Sequence, residues 1–531
     1  MNNNIQILDC TLRDGGYVNN WNFGEKVIRR ILKRLSDAHI DIVECGFLSE
    51  AEYFADKTIF NSTTQIAALL PEMSKSCYVA MIALGEKEIS YEKIERCENS
   101  FLFGIRLTFH KQEVERAFEY AKNLMEKGYH VFMQPVGTCT YTDKELLELV
   151  ERINLLHPYA FYIVDTLGTI TEMELMRLFQ LVDNNLIQGI KIGFHSHNNL
   201  QLAFANAQEL IRVFTDREVI LDASVLGMGR GAGNLCSELI TQYMNDKLKT
   251  DYNVTALLEI VDNYLMSIKE QYPWGYTIPY YIAAVHKCHP NYAIYLMNRQ
   301  TLNVKDIERI IASIPRDKCA LFDKGCIETL YNEYQTHSVD DREVIQKLQN
   351  IWERKTILIL APGSTLMEEE SNIRKYIKQN HPYVISVNFN SQLYEADMIF
   401  ISNLKRFENY DSIFAGIDKE IVITSNISTE TRTNTYIVNY TNYLNYDNLV
   451  SDNAGLMLCK LLEKCGVKKI ALAGFDGFVT DAAKNYFDKE LFNNVESSML
   501  EVKTRKIREQ LRQLGKEIEL VFVTTSQYEK E

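Results

Sequence analysis

Eight short apolar runs of strand type, each followed by a longer amphipathic or turn-rich stretch, fill the first part of the chain, and this alternation limits the possible folds more than any other feature. The runs are residues 5–9, 42–46, 78–84, 103–108, 130–135, 161–165, 190–195 and 219–224. Segments of helical period lie between them, among them 25–38, 111–127, 143–156, 171–184 and 200–214. Thr171 and Glu174 have capping-box spacing, and Gly128 follows a helical run as its stop. Eight strand–helix repeats in about 250 residues is the count of a (β/α)8 TIM barrel, a fold whose chemistry sits where the strands end.

The alternation breaks off near residue 250. From Tyr252 to Glu353 the pattern is helical and irregular, interrupted at Pro273-Trp274-Gly275-Tyr276 and His289-Pro290-Asn291-Tyr292. This stretch reads as a helical extension covering part of the barrel. After Arg354 the alternation restarts, with strand-like runs at 356–360, 384–388, 398–402, 420–424 and 469–473, the pattern of a smaller, open-sheet, Rossmann-like α/β domain. The expected organisation is therefore a barrel over 1–250, a helical extension over 251–353 and a second α/β domain over 354–531. A chain of 531 residues, 46% of them apolar, has the length and material for several cores.

Composition also narrows the partners. The formal charge is -14 and no dense Lys/Arg run occurs, which argues against a nucleic-acid backbone. Lys26, Arg29, Arg30, Lys33 and Arg34 share a helical spacing and read as a solvated helix face. Met1 to Asn4 leads straight into a strand without a charged-then-apolar leader, and no apolar run approaches the ~20 residues of a membrane span. The eleven cysteines lack CxxC spacing, against a disulfide framework or zinc ribbon. His286-Lys287-Cys288-His289 has too few partners nearby for a tetrahedral zinc site. A cytoplasmic protein with reduced thiols is expected. Its oligomeric state is open, a homo-oligomer among the options.

Polar residues collect at the strand ends. His195 and His197 stand two apart on the seventh run, so both imidazoles face the same side. Such a pair can hold a divalent cation if a carboxylate joins it, and Asp14, just after the first run, is the candidate. The plainer alternative is two polar residues at a solvated strand end. Arg13 and Asp14 can supply an oxyanion donor and a metal ligand, or form a surface pair beside the Gly15-Gly16 turn. Glu44, between Val43 and Cys45, can orient Arg13 or be solvated. Asp165 ends the sixth run in the same way. The eighth run leads into Gly227-Met228-Gly229-Arg230-Gly231-Ala232-Gly233-Asn234, where glycines allow close backbone approach. Asn234 there is either a helix N-cap or a further ligand.

Taken together, Thr11-Leu12-Arg13-Asp14-Gly15, Val43-Glu44-Cys45-Gly46-Phe47, Asp165-Thr166-Leu167-Gly168, His195-Ser196-His197-Asn198-Asn199 and the 227–234 loop resemble the DRE-TIM (HMGL-like) metal-dependent carbon–carbon lyases and synthases. That group includes HMG-CoA lyase, 4-hydroxy-2-oxovalerate aldolase and the isopropylmalate and homocitrate synthases. The resemblance implies that Asp14, His195 and His197 bind Mn²⁺ or Mg²⁺, with Asn234 a further ligand, and that Arg13 stabilises an enolate. It implies cleavage or formation of a C–C bond in a 2-oxo acid, with an aldehyde as partner in an aldolase and an acyl thioester in a Claisen-type acyltransferase. The last loop looks closer to the aldolases. One departure stands out: the oxovalerate aldolases carry a histidine base three residues after the metal Asp, and this chain has Tyr17. The base is then Tyr17, a water on the metal, or a histidine of the extension such as His286 or His289. A barrel without activity, serving as a scaffold, is the reading of another class.

In the second domain, residues 357–365 run from strand through a glycine turn into a helix, a geometry that can seat a phosphate, though no Walker lysine follows. With Val387-Asn388-Phe389, Ile401-Ser402-Asn403 and Ala473-Gly474-Phe475-Asp476-Gly477, the turn resembles the nucleotide-binding domain of bacterial sialyltransferases and pterin diphosphokinase-like proteins. That resemblance implies contacts from Gly363, Ser364, Asn388 and Asn403 to a nucleotide or nucleotide-sugar. The pairing of the two domains suggests synthesis of an unusual sugar acid for a surface glycan.

Overall fold

Eight parallel strands close into a ring in the computed structural model, their side chains alternating inward and outward. The structure describes residues 4–99, 101–408, 419–427, 434–447, 449–479, 485–487 and 497–529, so Met1 to Asn3, ahead of the first run, lie outside the described residues. The strands are β1 (Ile5–Asp9), β2 (Ile42–Leu48), β3 (Cys77–Ala83), β4 (Gly104–Phe109), β5 (His130–Pro135), β6 (Ala160–Asp165), β7 (Lys191–Ser196) and β8 (Val219–Ala223). All pair in parallel with their sequence neighbours. β1 pairs with both β8 (Ile5 opposite Val219) and β2 (Leu8 opposite Ile42), which closes the barrel.

Amphipathic helices wrap the outside: α1 (Glu25–Asp37), α2 (Val114–Glu126), α3 (Asp143–Leu156), α4 (Glu172–Asn185), α5 (Ala203–Arg212) and α6 (Ser237–Leu248). Thr142 and Glu145 form a complete capping box at α3, and Thr171 Oγ1 accepts from Glu174 N at α4. Gly128, at φ +93°, takes the left-handed conformation that ends the α2 segment. Outward residues such as Val43, Ile105, Ile163 and Leu221 join Ile28, Ala121, Ile153 and Val182 of the helices in one core. Inward residues Leu8, Ile42, Val79, Phe132, Tyr162 and Ile220 fill the barrel. Tyr162 lies across the interior, and a Cβ at Gly193 would collide with its ring, so the glycine of β7 is a packing requirement.

The described chain forms two compact units, Met1–Asn291 with Pro315–Phe322, and Tyr292–Ile314 with Asp323–Glu531. The stretch 251–353 is helical, and its helices are shared between these units. The second unit holds a parallel sheet of β9 (Ile357–Leu360), β10 (Tyr383–Val387), β11 (Met398–Ile401), β12 (Glu420–Thr424), β13 (Thr435–Val438), β14 (Lys469–Ala473) and β15 (Glu519–Phe522). Their order is β13-β12-β11-β10-β9-β14-β15. The chain winds outward from β9 to β13, then crosses to β14 on the other side, which makes β9 the turning point of the sheet. The helix α7 (Arg342–Trp352) buries Ile345, Leu348 and Trp352 in the core of this sheet. β13 and β15 are edge strands with mostly half-buried or exposed side chains, and their weak apolar pattern explains why five strands and not seven stand out in the sequence. Among the described residues no helix is long and apolar enough to cross a membrane.

Candidate metal centre

The inward positions of four barrel strands carry titratable groups instead of hydrocarbon. Glu44 of β2, Arg106 of β4, His195 of β7 and Asp222 of β8 are all buried, as are Arg13 and Asp14 just beyond β1. Period-two alternation puts each on the same face as its apolar neighbours Ile42, Gly104, Gly193 and Ile220. Buried charges must be paired, and these are linked in one chain. Arg13 Nη1 donates to Asp14 Oδ1 at 2.6 Å, and Arg13 Nε donates to Glu44 Oε2 at 2.8 Å. Arg106 Nη1 meets the same Glu44 oxygen at 2.6 Å, and its other amino group donates to Asp222. Tyr162 Oη donates to Asp222 Oδ1 at 3.1 Å.

Asp222 ends this chain at the metal candidate, its Oδ2 lying 2.9 Å from His195 Nδ1. A carboxylate there accepts a hydrogen bond from Nδ1–H and leaves the Nε2 lone pair facing Asp14, whose Oδ1 is 4.0 Å away; this is how metal-bound histidines are commonly oriented. Burial raises the pKa of Asp222, but Arg106 and His195 outweigh it and hold the carboxyl below its usual range. Burial likewise works against the Asp14 carboxylate, and Arg13, His197 and His195 overcome it, keeping it ionised at any ordinary pH. The His197 imidazole is pushed down to about 4, chiefly by burial, and stays neutral and able to ligate at pH 7.

Ligand atoms of Asp14, His195 and His197 lie within 4.8 Å of one another. Asn234 joins them: its Nδ2 donates to Asp14 Oδ2 at 2.7 Å, and its backbone bridges His197. The glycine loop makes this approach possible, since a Cβ at Gly229 would collide with both Asn234 and Asp14. Asn234 is not the N-cap of α6, a place held by Cys236. Two buried atoms in the group, His197 Nδ1 and Asn234 Oδ1, have no hydrogen-bond partner. Orphaned acceptors beside an ionised carboxylate are costly unless a cation completes them. The charge balance agrees: with neutral imidazoles, Arg13 and Arg106 face Asp14, Glu44 and Asp222, leaving one negative charge. The residues fit a divalent cation held by imidazole and oxygen donors.

The group opens into a cavity of about 180 Å³ whose lining includes Arg13, Asp14, Tyr17, His195, His197 and Arg230. Arg13 and Glu44 are therefore not a solvated pair, since Glu44 is fully buried and fixes the Arg13 guanidinium. The Tyr17 ring packs edge-on against Trp21 at 4.7 Å and beneath the Arg230 guanidinium at 5.8 Å. Burial raises its phenol to about 12. His289 also lines the cavity and contacts Arg230, whereas His286 is not in the lining. Asp165 turns away and caps its own loop, accepting from the amides of Thr169 and Ile170.

Three residues of this arrangement escape a reading of motifs: Arg106, Asp222 and His110. The first two leave a trace, a charge at an inward position within an apolar run. His110 leaves none, because it follows β4 and is brought to the cavity by the barrel's closure. It also lies 3.4 Å from Glu86, another lining residue.

In the second unit Gly363, Asn388 and Asn403 line a cavity of about 210 Å³, and Ser364 does not. The donors of the glycine turn are engaged internally. Gly363 N donates to Gly474 O at 3.1 Å, while Thr365 N and Ser364 Oγ donate to Asp476 Oδ2 at 2.9 and 3.3 Å. Asn388 Oδ1 accepts from Ser402 N, and Asn403 Nδ2 donates to Gln300 O.

Comparison with known proteins falls on the barrel. Residues 4–263 match the HMGL-like family model. An oxaloacetate decarboxylase of Mycobacterium tuberculosis is 26% identical over 243 residues, 43% of this chain and 66% of that protein. A 4-hydroxy-2-oxovalerate aldolase of Bacillus thuringiensis is 25% identical over 314 residues, 57% of this chain and 89% of that protein. Among solved structures, the N-terminal domain of an aldolase candidate from Bacteroides vulgatus aligns with a TM-score of 0.48 at 25% identity, covering 57% of this chain and 99% of that one. The two named relatives are lyases, and the family is one of enzymes. Over residues 4–263 this chain is similar to the HMGL-like family, and the match falls on the barrel.

Proposed function

We propose that the barrel is a divalent-metal-dependent lyase of the aldolase type, which makes or breaks a C–C bond of a 2-oxo acid through a pyruvate-type enolate. The observation that carries this reading is the tethering of His195 Nδ1 by Asp222, which leaves Nε2 facing an ionised Asp14 beside the orphaned His197 Nδ1 and Asn234 Oδ1. Asp14, His195 and His197 would hold Mn²⁺ or Mg²⁺, with Asn234 Oδ1 as a further donor. When bound, the cation polarises the carbonyl oxygen of the 2-oxo acid.

The remaining work falls to the chain. Arg13, rigid between Asp14 and Glu44, is a preorganised donor for negative charge developing on the substrate oxygen. Glu44 positions Arg13. A phenol raised to about 12 stays protonated at pH 7, so Tyr17 acts as a hydrogen-bond donor to substrate and not as the resting base. His110, whose hydrogen bond to Glu86 raises its basicity, is the proton acceptor for the 4-hydroxyl. Loss of that proton breaks the C3–C4 bond and yields an aldehyde and the enolate of a 2-oxo acid.

The test is exchange of pyruvate methyl protons in deuterated water with Mn²⁺, followed by a screen of aldehydes. Metal-dependent exchange abolished by Asp14→Ala and His195→Ala is expected. Full turnover in either variant would remove the site. Release of free thiol from acetyl-CoA with pyruvate would instead indicate a Claisen-type acyltransferase.

We also infer that the second unit binds a nucleotide or nucleotide-sugar, with Gly363, Asn388 and Asn403 at the wall of its cavity and Ser364 supporting the turn through Asp476. An aldol step joined in one chain to such a unit suits cytoplasmic synthesis of a sugar acid for a surface glycan. Binding of nucleotides to the intact protein, measured calorimetrically, checks the first part.

A further inference from the structure

The loop after β8 carries Asn234 to Asp14, and it does so as a closed turn. Ser224 N donates to Leu235 O and Ser237 N donates to Ser224 O, both at 2.9 Å, which ties the base of the loop together. Within it Asn234 N donates to Gly227 O at 3.0 Å, and Asn234 Nδ2 reaches Met228 O at 3.3 Å. The two arms touch, since a Cβ at Gly233 would collide with Gly227 O. Asn234 therefore stands where the course of the chain at 226–228 puts it.

Leu226 sets that course. It sits in the short helical turn Val225–Gly227 with φ 56° and ψ 21°, the left-handed region. A residue with a Cβ is strained there and persists only where its surroundings hold it. Return to the right-handed region would redirect Gly227 and Met228 and withdraw both of their carbonyls from Asn234. Two groups hold Leu226 in place. Glu238 Oε2 accepts from its amide at 3.0 Å, and the Trp274 indole Nε1 donates to its carbonyl at 3.1 Å. Glu238 belongs to α6, close in the chain. Trp274 does not: it lies in the break between the helices Met266–Gln271 and Ile278–Val285, beyond residue 263, where the match to the HMGL-like family model ends. Its ring is buried and packs with the barrel core. The same ring reaches the second arm of the loop, for a Cβ at Gly233 would lie 3.4 Å from Trp274 Cδ1. Hydrocarbon burial explains an aromatic ring at this place, and the Leu226 carbonyl explains why the ring carries an N–H.

We propose that Trp274 is a positioning residue for the metal centre: by clamping Leu226 in the left-handed conformation it fixes the loop that brings Asn234 to Asp14. The proposal rests on the reading of Asp14, His195, His197 and Asn234 as the holders of a cation, and it extends that site to a residue of the helical stretch after the barrel.

The experiment compares the full-length parent with Trp274→Phe, Leu226→Gly and the double variant, with Trp274→Met as a second variant lacking the donor. Far-ultraviolet dichroism shows which variants fold. Hydrogen exchange of peptides covering 225–236 is followed on metal-free protein, and Mn²⁺ affinity is measured by direct titration. Expected in Trp274→Phe is faster exchange in this loop with the barrel strands unchanged. Mn²⁺ should bind it about three- to tenfold more weakly, the scale of one lost hydrogen bond. Glycine takes the left-handed conformation without strain, so in the Leu226→Gly background the loss of Trp274 should cost less than about twofold. An equal loss in both backgrounds means that Trp274 only packs, and overturns the proposal. Unchanged exchange and affinity in Trp274→Phe overturn it as well. A parent that binds no Mn²⁺ removes the metal reading instead. Faster loop exchange in Trp274→Phe, suppressed by Leu226→Gly, then still supports the clamp, and unchanged exchange overturns it.

Discussion

At the scale of single residues the barrel site is a set of charges that cannot be removed one at a time. Asp222 is the acceptor that fixes His195, and it also neutralises Arg106. Asp222→Asn keeps the shape and weakens the acceptor, so Mn²⁺ affinity is expected to fall about 10–100-fold by direct titration. Asp222→Ala would also strand a buried guanidinium and cost about 3–5 kcal/mol. A second residue-scale prediction concerns pH. His289 has its pKa lowered to about 4, first by burial and then by Arg230. Between pH 6.5 and 4 the unfolded imidazole binds a proton that the folded one refuses, so stability rises with pH through this window and is lost on acidification. The span of about 2.5 units corresponds to about 3 kcal/mol at most. Urea unfolding at pH 7 and pH 5 should show the loss, and His289→Leu should reduce it and leave the share that His197 contributes. Asp14, His195 and His197 were legible because strand period and motif order mark them. Asp222 and Arg106 were less so, for a single charge in an apolar run does not say which partner it will meet across a barrel.

At the scale of elements, inward-facing side chains from neighbouring strands decide the packing. Tyr162 of β6 fills the space that Gly193 of β7 leaves, and its hydroxyl reaches Asp222 of β8. Gly193→Ala is expected to displace the ring, to destabilise the barrel by about 1–3 kcal/mol in urea titration, and to weaken metal binding through Asp222. The strands of the barrel were readable because most of their side chains are buried on both faces and are hydrocarbon. The edge strands β13 and β15 were not, because a half-exposed strand of four residues carries little periodicity. The glycine turn after β9 illustrates a different loss. Its sequence signals an anion seat, and only the fold reveals that Asp476, more than a hundred residues later, occupies its donors.

At the scale of the whole molecule the chain carries two units with separate cores. Calorimetry is expected to resolve two unfolding transitions. Mn²⁺ should raise only the barrel's, by an amount that grows with the logarithm of its concentration, and a chelator should reverse it. A single transition shifted as a whole by metal would contradict independent unfolding. The helical stretch 251–353 shows how far boundaries drawn from pattern carry. Its helices were evident, but their division between the units depends on which apolar faces find partners. Ile345, Leu348 and Trp352 of α7 find theirs in the second sheet.

The sequence by itself determined the barrel, the second α/β sheet and the three residues proposed as metal ligands, because these follow from local periodicity and from residue types at strand ends. Tertiary structure alone decided that Asp222 orients His195, that Arg106 links Glu44 to Asp222, that His110 reaches the cavity and that Asp476 fills the glycine turn. Each joins residues distant in the chain, and such pairings arise only when sheet closure and winding bring separate strand ends to one place.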